Sequence, residues 1–136
     1  MNNVAIPPAP HADDARLNGR LKDLMAAVDG VVGVVLASVD GFPLAYAGRA
    51  EGSEKRLAAM SSSMLGLATA LSRELGAGHL DALSVEADDG KVLMLMVPGQ
   101  TPRVLMVTCN RLCVMGQVLW HARQCVSAIA TSAARA

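Results

Sequence analysis

The chain has 136 residues, 52% of them apolar, and twelve basic side chains balance twelve acidic ones to a formal net charge of zero. That length suits one domain around one core; with no Lys/Arg run and only Phe42, Tyr46 and Trp120 as aromatics, it has no means of tracking a phosphate backbone or stacking bases, which argues against a nucleic-acid partner. No stretch reaches the roughly 20 apolar residues that a bilayer-spanning helix needs, so no integral membrane segment is expected.

Residues 1–12 (MNNVAIPPAPHA) are proline-rich and aperiodic, and are predicted to form a disordered tail ahead of one domain over 13–134. The tail lacks a basic start, and Pro7, Pro8 and Pro10 interrupt its apolar residues before a signal-peptide core can build, so the expected location is cytoplasmic. Three cysteines, an odd count in a chain long enough not to need stapling, agree with that compartment. Asp13 or Asp14 can cap a first helix, in which Leu17, Leu21, Leu24 and Val28 recur at helical spacing until Gly30.

Residues 31–38 (VVGVVLAS) are β-branched-rich and read as a strand. Val39-Asp40-Gly41-Phe42 carries an Asp-Gly hairpin signal, and Pro43 to Ala47 follows as a strand that proline, lacking a donor, confines to a sheet edge. Ser53 is the expected N-cap of a long second helix, with Glu54 on the favourable side of its dipole, and Gly76 and Gly78 stop it. Leu80 to Ala87 is a third strand and Asp88-Asp89-Gly90-Lys91 a second hairpin. Val92 to Val97, apolar on both faces, is expected to be central. After the turn Pro98 to Pro102 come a fifth strand, Arg103 to Thr108, and a last helix capped by Asn110. That helix turns Met115, Val118, Leu119, Ala122, Val126 and Ile129 inward. The order α-β-β-α-β-β-β-α reads as an α+β fold, one mostly antiparallel five-stranded sheet with helices on both faces.

The second helix is the most informative element. From Leu57 to Ser72 it runs LAAMSSSMLGLATALS without a charge. At about 100° per residue Leu57, Met60, Met64, Leu67, Leu71 and Leu75 share one stripe, which is assigned to the core. The remaining flanks should be wet on a surface helix, yet they carry Ala58, Ser61, Ser62, Leu65, Gly66, Thr69 and Ser72. These uncharged, mostly small positions are assigned to a dimer or partner interface, since charge depletion marks an interface centre. A helix covered wholly by its own domain is the alternative, but a chain this short has little left to cover it.

Residues with the chemistry for catalysis or metal binding do not converge. Cys113 and Cys125 are twelve positions apart on one predicted helix, about 18 Å, too far to share a zinc ion whose ligands sit about 2.0–2.3 Å away. His121 and Cys125 lie one turn apart, with no third ligand in sequence reach. Cys109, Cys113 and Cys125 are therefore read as buried structural thiols. His11 and His79 fall in the tail and a loop, so no cysteine has an evident base. Neither G-x-x-x-x-G-K-[ST] nor G-x-G-x-x-G appears, and Gly76-x-Gly78 follows a helix and not a strand. Asp40, Asp88 and Asp89 read as turn residues, Gly41 and Gly90 as positions of positive φ, and most methionines as core, with Met64 the best candidate for an adaptable contact. No catalytic, cofactor-binding or metal-binding residue is expected, and no cofactor.

In its ordered pattern, with "GVVGVVLASVDGFPLA" at 30–45, "LAAMSSSMLGLATALSRELG" at 57–76 and "VEADDGKVLMLMVPG" at 85–99, the chain resembles a Roadblock/dynein light-chain domain over 14–133. It is most similar to the bacterial single-domain members, some of which partner and activate small Ras-like GTPases. The resemblance implies a homodimer whose second helices pack together and whose sheets join across the third strands, with no catalytic residues. The function expected is a non-catalytic homodimeric module that binds and regulates a small Ras-like GTPase. A scaffold in a signalling or motility complex is the runner-up, and a small-molecule sensor the reading from another class. Arg49, Arg56 and Arg73 are the arginines near the second helix that could serve as an inserted finger; a geometric mechanism without one is preferred.

Overall fold

The computed structural model describes residues 12–134, so the expectation for the tail lies outside the described residues except at Ala12, which opens the first helix. The elements are α1 (Ala12–Ala27), β1 (Val31–Ser38), β2 (Pro43–Gly48), α2 (Glu54–Glu74), β3 (Ala82–Ala87), β4 (Gly90–Val97), β5 (Arg103–Asn110) and α3 (Met115–Ala134). This is the predicted order, with β1 at its predicted bounds.

The strands form a single sheet in the order β2-β1-β5-β4-β3, and every neighbouring pair is antiparallel. β2 lies at one edge, as Pro43 requires. β4 is an interior strand, with Leu93, Met94, Leu95 and Val97 all buried, but the middle position belongs to β5, which runs Val104 to Val107 without an exposed residue. An apolar run marks burial on both faces and does not distinguish the middle strand from its neighbour.

Alternation along the strands sorts the core into two clusters. On one face α1 and α3 bring Leu21, Leu24, Val28, Val118, Ala122 and Ile129 against Val34, Leu36, Leu95, Leu105 and Val107. On the other face α2, the only helix there among the described residues, covers Val35, Ala37, Met94, Val104 and Met106. In β1 the alternation is reset by a register shift against β5 between Val31 and Gly33; this puts Val31 on the same face as Val34 and Leu36.

Three local details bear on the expected turns. Gly41 has φ +93°, and its amide donates to the Ser38 carbonyl at 3.0 Å, so the first hairpin turns as its Asp-Gly signal requires. Gly90 does not have positive φ; it pairs with Ala87 across the second hairpin, and a Cβ there would lie 2.9 Å from the Cys109 carbonyl oxygen. Close approach of β5, not dihedral freedom, requires glycine at 90. Asn110 does not cap α3: it ends β5, and its Oδ1 accepts from the Leu112 amide at 2.9 Å, closing a side-chain turn that delays the helix to Met115. Cys113 consequently precedes the helix that was expected to contain it.

Candidate interaction surface on the second helix

α2 lies on the sheet through its small face. Ala58 and Ser61 are fully buried and Leu65 is 2% exposed. The Ser61 hydroxyl donates to the Leu57 carbonyl at 2.6 Å and sits 2.9 Å from Met106 Sδ, so a polar atom under the helix is satisfied without widening the gap between the layers. These three positions were assigned to a partner interface, and the assignment is corrected: the chain's own sheet covers them. The physical reason is distance, because Ala and Ser let the helix descend onto Val35, Ala37 and Val104 where leucines would hold it off.

The stripe expected in the core turns outward. Met60 is 57% exposed, Leu67 73%, Leu71 59% and Leu75 70%, while Leu57 and Met64 are half-buried against the α2-side cluster. Residues three and four apart on a helix are surface neighbours, so Met60, Met64, Leu67, Leu71 and Leu75 form one continuous apolar band. Beside it Leu83, Val85 and Val92 of β3 and β4 are half-buried on the same cluster, and β3 pairs only with β4. Large side chains and a free strand edge thus share one side of the molecule.

The other assigned interface residues lie on a third flank. Ser62 and Thr69 are half-buried and Gly66 exposed; Ser62 donates to the Val39 carbonyl and Thr69 to the Leu65 carbonyl at 2.7 Å. Ser72 is half-buried, and its hydroxyl donates to the Gly78 carbonyl at 2.7 Å, holding the loop that ends α2. At the other end Ser53 occupies the N-cap position, but its side chain does not cap. Its Oγ accepts from Arg56 Nη2 at 3.5 Å instead. Arg49, Arg56 and Arg73 are all exposed. Sequence reasoning passed over Leu44 and Tyr46, exposed on the side of β2 opposite the buried Ala45 and Ala47. It also passed over Trp120, which is 60% exposed at the edge of α3. Period-two alternation in β2 was the available signal for the first pair.

The cysteines are buried and unpaired in disulfides. Burial, and behind it the neighbouring Cys113 thiol, pushes Cys109 up to about 12, and burial pushes Cys125 up to about 11 against the opposing effect of Arg20. Among the described residues no group of three His, Cys, Asp or Glu side chains is arranged to hold a metal ion, and no helix is long and apolar enough to cross a membrane.

A five-stranded antiparallel sheet with two helices on one face and a single half-exposed helix on the other is the Roadblock arrangement. The chain belongs to the Roadblock/LC7 domain family, whose sequence pattern matches residues 17–99. No curated protein matches the chain in sequence. Among solved structures, a Roadblock/LC7 domain from Streptomyces avermitilis is 20% identical, with a TM-score of 0.77 over 82% of this chain and 92% of its own. The gliding protein MglB from Thermus thermophilus is 17% identical, with a TM-score of 0.81 over 96% of this chain and 100% of its own. An MglB with tetrameric arrangement is 16% identical, with a TM-score of 0.80 over 93% and 96%. At these identities the likeness is one of fold.

Proposed function

We propose that the chain is a non-catalytic homodimeric interaction module that binds a small Ras-like GTPase and biases its nucleotide state. The observation that carries this reading is the exposed apolar band of α2, Met60 to Leu75, beside the unpaired edge of β3. Monomers seldom leave such a patch uncovered, and a second copy of the same band is self-complementary about a two-fold axis. Membership of the Roadblock/LC7 family and the self-association of the tetrameric MglB support the assembly. Resemblance to the bacterial single-domain members supports the GTPase as partner. The chain has no phosphate-binding loop, so GTP chemistry is assigned to that partner.

The proposed mechanism is geometric. A dimer platform that contacts the GTPase switch segments shifts their balance only through a difference in affinity for the two nucleotide states. Titration of the purified protein against small GTPases encoded beside it, loaded with GDP or with a non-hydrolysable GTP analogue, measures that difference. Unequal affinities are expected. Equal affinities would leave a scaffold without effect on hydrolysis, and absence of binding would overturn the GTPase reading.

A further inference from the structure

A trough runs along the third flank of α2, on the side away from the apolar band, where the helix meets the sheet at Met96 of β4 and Val104 of β5. Its first half, a cavity of about 300 Å³, has an apolar floor of Leu65, Met96 and Val104 and is walled by Gly66. Its second half, about 450 Å³, ends at His79 and the Gly76–Gly78 loop. Thr69 and Arg73 line both halves and join them. At about 100° per residue, Gly66, Thr69 and Arg73 stand on the far side of the helix from Met60, Leu67 and Leu71, so a second copy seated on the band leaves the trough open on both protomers.

Charge along the trough has one sign. No acidic side chain lines it, and neither Arg73 nor His79 has an ion-pair partner among the described residues. Beyond its far end, Asp81 is engaged by Arg123. The Gly78 and His79 amides have no protein acceptor among the described residues, which adds donors at the same end. Along the walls the Ser62 and Thr69 hydroxyls donate inward to carbonyls, which leaves their oxygen lone pairs free to accept. From Ser62 to Arg73 the helix rises about 16 Å, the span of about five residues of extended chain.

We propose that this trough docks an extended segment of a partner protein, with aliphatic side chains over Leu65, Met96 and Val104 and a carboxylate held by Arg73, His79 and the loop amides. The hydroxyl acceptors favour a peptide, whose N–H groups can use them, over an acyl chain, which cannot. The site exists within a single chain. It therefore goes beyond the GTPase reading and does not depend on it.

Random nonapeptides displayed on phage and selected on the full chain test the proposal. Enriched sequences are expected to combine aliphatic residues with an Asp or Glu. The best of them, made as a fluorescent peptide, is expected to lose about tenfold or more in affinity with Gly66→Leu and with Arg73→Glu. Gly66 has open space where a Cβ would go, so leucine enters the trough without straining the helix; circular dichroism and light scattering are expected to report an unchanged fold and assembly. Selection without an acid-and-aliphatic pattern, or binding indifferent to both substitutions, would overturn the proposal. So would Gly66-dependent binding to phosphatidylglycerol vesicles in place of peptides. Light scattering and the nucleotide-state titration read the dimer and the GTPase separately, so failure here leaves those readings standing.

Discussion

Gly48 and Gly66 occupy opposite extremes of what a missing side chain can do. Gly48 has φ +69°, and a Cβ there would lie 2.5 Å from the Val32 carbonyl oxygen and from Met25 Cε. Methionine can swing aside, but the backbone oxygen cannot. Gly48→Ala is expected to cost about 1–3 kcal/mol. Gly66 sits in a helix interior with no atom near its would-be Cβ, so Gly66→Ala is expected to add about 0.5–1 kcal/mol. Urea unfolding of the two variants measures both signs. The cysteines give a pH dependence at the same scale. Cys109 rises from 9.0 to about 12 and Cys125 to about 11, so between those values the folded chain holds protons that the unfolded chain releases. Stability is therefore complete below pH 9 and falls as pH climbs through 11 and 12. Thermal melts from pH 8 to 11 are expected to show that decline, with a shallower slope in Cys109→Ala.

At the scale of the element, α2 separates burial from hydrophobicity. Its three buried positions are Ala58, Ser61 and Leu65, while Leu67, Leu71 and Leu75 are mostly exposed. On the proposed reading, Leu67→Glu or Leu71→Glu leaves the monomer folded and breaks the assembly. Ala58→Glu forces a carboxylate under the helix and is expected to unfold the chain, because an unpaired buried charge costs several kcal/mol. Lys22→Glu, on an exposed position of α1, serves as the control. Light scattering with circular dichroism distinguishes the three outcomes; a dimer that survives Leu67→Glu would remove the band from the interface.

The strands, hairpins and helix order were legible in the sequence because local periodicity and turn chemistry carry them: Asp40-Gly41 and Pro43 place β1 and β2 without reference to the rest of the chain. The faces of α2 were not. Periodicity reports which residues share a side, but a helix with large residues on one side and small ones on another can dock by either. The choice fell to the depth of the sheet surface formed by Val35, Met94 and Met106, which is set by residues distant in sequence. The same limit explains why four of the assigned interface residues, Ser62, Leu65, Gly66 and Thr69, line a cavity within the chain.

At the scale of the whole fold, two helices lie over one face of the sheet and one over the other among the described residues. Met60, Leu67, Leu71 and Leu75 from each of two copies, 57–73% exposed, would contribute on the order of 10 kcal/mol if fully buried. Association itself costs about 4–15 kcal/mol, so the band alone is marginal, and on the proposed reading strand pairing at the β3 edge contributes as well. Hydrogen exchange should therefore show β3 amides gaining protection as protein concentration rises. If the assembled protein accelerates GTP hydrolysis, Arg49→Ala, Arg56→Ala and Arg73→Ala should each keep most of the acceleration. A loss of about 10³–10⁵ in any one would identify an arginine finger and replace the geometric mechanism.

The single helix on the α2 face has a last consequence, one of mass action. On the proposed reading, only folded copies can complete the layer for each other, so association adds to the stability of the folded chain and the melting temperature becomes a property of the solution as well as of the chain. Each tenfold dilution would then remove about 1.4 kcal/mol and lower the midpoint by about 2–4 °C. A cell that makes little of this protein would hold less of it folded than its sequence could sustain at higher abundance, which ties the supply of the assembly to its own expression.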